Sequence, residues 1–169
     1  LMSAPVPTWR TVAAKAAAAW LLAAVMQLVL VMAAAAVGAL VLGLPGILPS
    51  RYMVAGLLIA VACAPVCALQ SGLSAFTRSF AVPVAIGLAL TGVGTTALLV
   101  HIPAAWLLPH ALVTRTTQIG ATSDGAALVF AAQDLNWTSA AVTVATGAVL
   151  SAVVVLVTSA VLNRVDSRT

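Results

Sequence analysis

The sequence predicts an all-α integral membrane protein with four transmembrane helices. Hydrophobic residues make up 63% of the 169 residues and charged residues only 6%, whereas soluble domains have about 45–50% and about 25%. The mean hydropathy is +1.20. Four apolar segments without charge are each long enough to cross the hydrocarbon core, which takes about 20 residues. These observations indicate a single transmembrane domain over residues 1–169.

The spans follow one another with one short turn, one very short connection and one long loop. They cover approximately residues 16–44, 52–76, 80–100 and 137–162. At about 1.5 Å per residue, the first is longer than a core of about 30 Å requires, so it must tilt, bend or project beyond the bilayer. The Pro- and Gly-rich "GLPGILPSR" ends it in a tight turn. Residues 1–15 are a cytoplasmic segment and residues 163–169 a cytoplasmic tail.

The third span is unusually rich in helix breakers. Its opening stretch "RSFAVPVAIGLALTGVG" contains one proline and three glycines. Small residues at helical spacing allow membrane helices to approach closely, so the breakers are interpreted as a packing face. That face consists of Pro83, Gly87, Thr91 and Thr95. Gly92 and Gly94 either bend the helix or allow another helix to approach, and the pattern leaves these alternatives open.

The basic residues predict the orientation in the membrane. With both ends cytoplasmic, the inside segments hold five basic residues and the outside segments two, as the positive-inside rule favours. They are Arg10, Lys15, Arg78, Arg164 and Arg168 inside, and Arg51 and Arg115 outside. Trp20 is interpreted as an interfacial aromatic near the inner end of the first span. The Ala- and Val-rich composition is typical of a bacterial gene, so the expected location is the bacterial inner membrane.

The outer loop, residues 101–136, contains the apolar run "IPAAWLLPHALV", which is too short to span. It either dips back into the membrane as a re-entrant segment or lies along the interface, and both alternatives stay open. His101 and His110 are interpreted as exposed interfacial histidines rather than an acid–base pair or metal ligands, because no nucleophile motif or carboxylate cluster accompanies them. The sequence therefore predicts no catalytic, cofactor or metal site and no enzyme.

Several function classes are disfavoured by missing chemistry. The sequence has no GxxxxGK[ST] loop and Lys15 is its single lysine, so any ATP must be hydrolysed by a partner. No ionisable Asp, Glu, Lys, Arg or His lies well inside a predicted span, which disfavours an ion-coupled transporter. Gln27 and Gln70 are interpreted as helix-to-helix hydrogen-bonding groups. The net charge of +4 is assigned to membrane topology, so no nucleic-acid partner is expected.

The order of these features resembles a known family. The features are "PVPTWRTVAAKAAAAW" before a long span, a Pro/Gly break, "SGLSAFTRSFAVPVAIGLALTGVG", a long outer loop and a short basic tail. Together they resemble the permease subunits of ABC-2 type exporters, especially the group around lantibiotic immunity and bacitracin resistance. Members have six spans, so the resemblance implies that the four here are the third to sixth of an N-terminally truncated fragment.

The resemblance implies partners and a function. The segment before the first span would contact a cytoplasmic ABC ATPase that carries ATP and Mg, through Arg10 and Lys15, with Arg78 as a further candidate. A second permease copy or a paralogue would complete a dimer in the lipid bilayer. The family's re-entrant elements favour the dipping alternative for residues 102–113. The expected function is export of an amphipathic peptide antibiotic or drug; the alternative is a non-transporting membrane scaffold or peptide sensor that acts through a partner.

Overall fold

The computed structural model describes residues 7–41, 43, 50–77, 79, 81–118 and 136–166. All regular secondary structure among them is helical: α1 (Thr8–Leu40), α2 (Ser50–Ala62), α3 (Ala64–Thr77), α4 (Ala81–Leu99), a 3₁₀ turn (Ala105–Leu107), α5 (Pro109–Thr117) and α6 (Trp137–Asp166). Four segments are long and apolar enough to cross a membrane: Thr8–Leu40, Tyr52–Thr77, Ala81–Leu99 and Trp137–Arg164. The prediction of an all-helical chain with four membrane-length helices is confirmed, as in a multi-pass membrane protein. Arg78, Arg168 and the loop residues 119–135 lie outside the described residues.

The first helix begins at Thr8, well before the predicted start of the first span at residue 16. Pro7 precedes it with a φ of −55°, and the amide of Arg10 donates to the carbonyl of Pro7 at 2.9 Å. The following residues are mostly alanines, which are the strongest helix formers, so nothing separates this segment from the span. Val12 is already buried. The 33 residues form one continuous helix, about 50 Å long at about 1.5 Å per residue.

The second predicted span forms two helices, α2 and α3, with an interruption at Cys63. Pro65 explains the interruption, because proline has no N–H to donate to the carbonyl of Val61 and its ring clashes with that carbonyl. The amide of Cys67 donates to the carbonyl of Cys63 at 3.0 Å, so the helical ladder resumes within one turn. The segment Tyr52–Thr77 is therefore a span whose helix is interrupted at Cys63, at a proline position where helices commonly kink.

Neighbouring helices contact the carbonyl groups at this kink. Trp20 of α1 donates its indole Nε1–H to the carbonyl of Ala60 at 2.8 Å. On α6, a Cβ added to Gly147 would lie 3.4 Å from the carbonyl oxygen of Val61, at ordinary van der Waals distance, so α6 packs closely against this part of α2. Trp20 therefore has a hydrogen-bond partner on a neighbouring helix, and its position at the membrane interface stays a prediction. Because α1 already begins at Thr8, Trp20 lies three turns into the helix and faces the bundle.

The second half of the kinked span, α3, occupies the centre of the bundle and contacts α1, α4 and α6. Its small residues allow close packing: a Cβ added to Gly72 would lie 2.6 Å from the hydroxyl oxygen of Thr158 on α6. The principal contacts of α4 are with α3, the 3₁₀ turn and α5. Large apolar side chains such as Leu22, Leu88 and Leu156 point outward, as expected of surfaces that face lipid.

A tight turn reverses the chain after α4. His101 adopts a left-handed φ of 55°, and its amide donates to the carbonyl of Leu98 at 3.1 Å. The amide of Ile102 donates to the carbonyl of Ala97 at 2.9 Å, which completes the Schellman pattern that ends many helices. The 3₁₀ turn follows, and Pro109 begins α5 at a position where a missing N–H costs little.

The short helix α5 packs inside the bundle, against α2 and α4. Ala111 and Leu112 are fully buried. A Cβ added to Gly94 would lie 3.0 Å from the backbone nitrogen of Ala111, so the lack of a side chain at Gly94 allows the two backbones to approach. Gly94 precedes the end of α4 by five residues, about 8 Å at about 1.5 Å per residue. The chain therefore folds back after α4 and packs α5 against the last turns of that helix, while the choice between a re-entrant and an interfacial segment stays a prediction.

Candidate functional site

A cavity of about 620 Å³ lies between α3 and α4, with α5 at one side. Its lining is mostly apolar but includes several hydrogen-bonding side chains. The lining residues are Val66, Gln70, Ser71, Ser74, Pro83, Val84, Gly87, Leu88, Thr91 and His110. The cavity has the volume and the mixed lining typical of small-molecule sites, which have about 300–1,000 Å³. We call it the α3–α4 cavity.

The α4 wall of this cavity contains part of the packing face that the sequence predicted. Pro83 and Gly87 are buried, as are Gly94 and Ala97 further along the helix. Thr91 is exposed to the cavity side. A strict four-residue repeat advances about 400° per step and so drifts by about 40° around the helix. The buried face of α4 therefore continues through Gly94 and Ala97 where the predicted face continued through Thr91 and Thr95.

The threonine hydroxyl of this wall does not bond across to a neighbouring helix. The Thr91 hydroxyl donates to the carbonyl of Gly87 on its own helix, at 2.8 Å. The Ser74 hydroxyl on the opposite wall likewise donates to the carbonyl of Ser71, at 2.9 Å. Each of these hydroxyl oxygens keeps a lone pair as an acceptor. Both side chains therefore present acceptors to the cavity rather than tie α3 to α4.

Gln70 crosses from α3 to α4 without a hydrogen bond to α4. Its side-chain amide nitrogen occupies the space that a Cβ at Gly87 would need. No hydrogen bond of this amide occurs among the described residues, and none of their fully buried side-chain polar atoms lacks a partner. The amide of Gln70 therefore opens on the cavity. The sequence-based interpretation of Gln70 as a helix-to-helix hydrogen bond is replaced by a packing contact with Gly87.

His110 completes the polar lining, and its burial corrects the expectation of an exposed histidine. Its side chain is 7% exposed, whereas His101 in the preceding turn is exposed. The sequence signal was ambiguous, because a single histidine inside a short apolar run is compatible with either an interface or a buried helix. The His110 ring is likewise without a hydrogen bond in the described part of the chain. Its nitrogens therefore face the cavity.

Burial also sets the charge of this ring. Desolvation lowers the pKa of His110 below its usual value, because the charged form loses hydration that the apolar surroundings do not replace. The neighbouring cation of α5, Arg115, is directed elsewhere: its guanidinium carbon lies 5.5 Å from the centre of the Trp106 ring, within range of a cation–π contact. At neutral pH the His110 ring is thus a neutral group with one donor and one acceptor.

Two of the candidate residues for contact with an ATPase, Arg10 and Lys15, lie in the first turns of α1. Arg10 and Lys15 are both exposed, and the Arg10 guanidinium carbon lies 5.5 Å from the centre of the Trp9 ring. Five residues correspond to about 500° of helix rotation, so the two side chains point about 140° apart. The structure therefore does not bring them together on one face. Arg78 lies outside the described residues.

The described residues thus contain four membrane-length helical segments, a short buried helix α5 and a partly polar cavity between α3 and α4. The cavity is bounded by three helices. The imidazole ring of His110 and the side-chain amide of Gln70 have no hydrogen-bond partner among the described residues. No protein family model, no curated protein and no solved structure matches this chain.

Proposed function

We propose that the chain is part of the permease subunit of an ATP-driven exporter of the ABC-2 type. It would move an amphipathic peptide or drug from the membrane to the outside of a bacterial cell, with both ends of the chain cytoplasmic. The observation that carries the proposal is the α4–α5 hairpin, in which α5 packs beside Gly94 inside the bundle. A re-entrant element before the last span is also a feature of the exporter family that the sequence resembles.

The lining of the α3–α4 cavity supports the same function. An ion-coupled transporter requires ionisable groups along its path, but among the described residues that line the cavity His110 is the only ionisable one, and burial lowers its pKa. An apolar cavity with a few neutral polar groups suits an amphipathic substrate. The free energy for its movement would then come from nucleotide hydrolysis on a partner.

The start of α1 is the proposed contact for that partner. Its first turns extend the span as a rigid helix, and Val12 packs into the bundle while Arg10 and Lys15 are exposed. A push on these turns would be transmitted along α1, since a continuous helix of 33 residues has no hinge at which to absorb it. We propose a cytoplasmic ABC ATPase with bound ATP and Mg as this partner, and a second permease as the other half of a dimer.

Charge reversal at the start of α1 tests the proposal. We expect Arg10→Glu with Lys15→Glu to abolish the stimulation of ATP hydrolysis by peptide in the assembled complex and to abolish peptide resistance in cells, without loss of membrane insertion. The matched control is the exchange Arg10→Lys with Lys15→Arg, which keeps both charges and should keep coupling. Because the two side chains point about 140° apart, the single reversals should differ in strength. Unchanged resistance and unchanged ATPase stimulation in the double reversal would refute the coupling role.

The sensor alternative makes a different prediction for the same variants. A peptide sensor would transmit a signal to its partner without moving peptide, so reversal of the two charges would change reporter expression but not peptide efflux. A neighbouring gene for a P-loop ATPase favours the exporter, and a neighbouring histidine kinase alone favours the sensor. ATP-dependent uptake of a labelled peptide into inside-out vesicles separates the two directly, because only the exporter would accumulate the peptide.

A further inference from the structure

We infer that the α3–α4 cavity is a binding site for an amphipathic, lipid-soluble molecule whose uncharged polar group hydrogen-bonds to His110 and Gln70. This inference rests on the proposed function and deepens it, because it gives the exporter a site and a class of substrate. It follows from three features of the cavity: its unpartnered polar groups, the lack of charged side chains among its described lining residues, and the exposed apolar side chains at its opening.

The polar groups are held in place but lack partners. His110 is more than nine-tenths buried and faces the cavity without a hydrogen bond in the described chain. The amide of Gln70 faces the same space and is fixed by its contact with Gly87. A polar group in an apolar setting gains stability when a partner satisfies its hydrogen bonds. A ligand with a hydroxyl or amide group would provide the missing donors and acceptors for both side chains.

The charge of the site selects an uncharged head group. No Asp, Glu, Lys or Arg is among the described residues that line the cavity, and burial keeps the His110 ring neutral. A charged head group would lose its hydration and find no counter-ion there, which is costly in a low-dielectric site. A neutral head group only exchanges hydrogen bonds with water for hydrogen bonds with Gln70, His110 and the hydroxyl oxygen of Thr91.

The opening of the cavity indicates how the ligand arrives. Val84 and Leu88 belong to the lining and are 43% and 71% exposed on the outer surface of α4. In a membrane this surface faces acyl chains, so the cavity opens sideways into lipid. The apolar part of a ligand would lie along Val84 and Leu88 while its head group reaches inward to His110. A ligand with both an apolar part and a polar head group makes apolar contacts and hydrogen bonds with the lining, whereas an acyl chain alone leaves the polar groups without hydrogen bonds.

Photolabelling of the full chain in lipid nanodiscs tests this site. The probe is a monoacylglycerol with a diazirine in its acyl chain and two hydroxyls in its head group. The comparison probes are a diazirine alkane of equal chain length and the corresponding anionic diazirine fatty acid. We expect the monoacylglycerol to label peptides from α3, α4 and α5 at least fivefold more than either comparison probe, as quantified by mass spectrometry. Equal labelling by the alkane would identify the cavity as a groove for acyl chains and would overturn the inference.

Substitutions identify the residues that bind the head group. Gln70→Leu with His110→Leu should lower labelling of the cavity at least fivefold, and His110→Gln, which retains hydrogen-bonding groups, should restore most of it. The matched controls are Gln27→Leu, a glutamine in the separate groove between α1 and α2, and His101→Leu, the exposed histidine. If the double variant is not monodisperse, the labelling of the single variant Gln70→Leu is compared with that of the wild-type protein instead. The assignment would be overturned if labelling were unchanged in Gln70→Leu and were equal in His110→Leu and His110→Gln.

The labelling experiment contains no ATPase, so the site and the proposed function fail separately. If labelling follows the expected pattern but charge reversal at Arg10 and Lys15 has no effect on coupling, the binding site stands and the exporter function falls. If charge reversal uncouples transport but the probe labels the cavity no better than the alkane, the exporter function stands and the site is refuted.

Discussion

At the scale of single residues, the two glycines near the end of α4 have different surroundings. A Cβ added to Gly94 would contact the backbone nitrogen of Ala111 at 3.0 Å, whereas a Cβ added to Gly92 would have no atom within 4 Å. Gly94 therefore allows α5 to approach, and this settles one alternative that the sequence left open. Gly92 contacts no other helix in the described part of the chain.

We expect Gly94→Ala to destabilise the protein by about 1–3 kcal/mol, the usual cost of overpacking, because the backbone of α5 has to move. Gly92→Ala is the matched control, and it should be neutral or slightly stabilising, since alanine is favoured over glycine in helices by about 1 kcal/mol. The measurement is the unfolding midpoint of the purified protein in mixed micelles with increasing SDS. Equal midpoints for the two variants would contradict the close approach of α4 and α5.

The buried histidine predicts how stability depends on pH. Burial lowers the pKa of His110 in the folded state, while the unfolded chain keeps a value of about 6.5. Above this value both states are neutral at His110. As the pH falls below about 6.5, the unfolded state binds the proton first, so the free energy of unfolding decreases until the pH is below the folded-state pKa.

We therefore expect the wild-type protein to lose more stability between pH 7.5 and pH 5.0 than His110→Gln, which carries no titratable group at this position. Thermal unfolding in detergent at the two pH values measures the difference. The other titratable groups are present in both proteins, so the comparison isolates His110. An identical pH dependence in the two proteins would show that position 110 does not contribute.

At the scale of helices, the kink between α2 and α3 is held by contacts from both sides. Trp20 donates to the carbonyl of Ala60 at 2.8 Å, and Gly147 lies against Val61. A proline-kinked helix exposes backbone carbonyls that lipid cannot satisfy, so the indole N–H of Trp20 has a structural reason to lie inside the bundle. The contact links α1 to the point where the helix of the second span is interrupted.

Trp20→Phe removes this donor but keeps most of the aromatic surface. We expect a loss of about 0.5–2 kcal/mol in unfolding free energy, the range for hydrogen bonds between membrane helices and for an unpaired buried carbonyl. Trp137→Phe is the matched control, because Trp137 is 92% exposed and should tolerate the change. SDS titration in mixed micelles measures both variants. A loss in Trp137→Phe as large as in Trp20→Phe would assign the effect to aromatic surface rather than to the hydrogen bond.

How far the sequence predicts these helices depends on the kind of signal that each residue gives. Apolar runs long enough to span a membrane predict the four candidate spans, because hydropathy and length alone decide them. Pro65 carries a signal for the kink, which a search for uncharged runs overlooks. The start of α1 at Thr8 depends on alanine-rich turns that hydropathy does not distinguish from a cytoplasmic segment.

The candidate site depends on tertiary contacts and is less accessible from the sequence. Pro83 and Gly87 are recognisable as small residues on one face of α4, but the contact of Gln70 with Gly87 joins α3 to α4 and has no local pattern. The burial of His110 requires α5 to fold back against Gly94. The turn that reverses the chain before α5 has its left-handed φ at His101 and not at a glycine. The sequence therefore contains no glycine that would predict this turn.

At the scale of the whole molecule, four spans that alternate in direction predict that the start of α1 and the end of α6 lie at one end of the bundle. The same alternation predicts that the turn after α4 lies at the other end. The basic residues predict that the first of these ends is cytoplasmic, and the proposed ATPase contact at Arg10 and Lys15 requires it.

Cysteine accessibility tests this arrangement. In a background with Cys63→Ala and Cys67→Ala, which removes the two free thiols in the described part of the chain, single cysteines are introduced at Thr8, Asn163 and Thr117. We expect a membrane-impermeant maleimide to label Thr117→Cys in intact cells, and to label Thr8→Cys and Asn163→Cys only in inside-out vesicles. Labelling of Thr8→Cys and Asn163→Cys from opposite sides would contradict four spans. Labelling of both from outside would keep the spans but reverse the orientation, and a cytoplasmic ATPase would then have no access to Arg10 and Lys15.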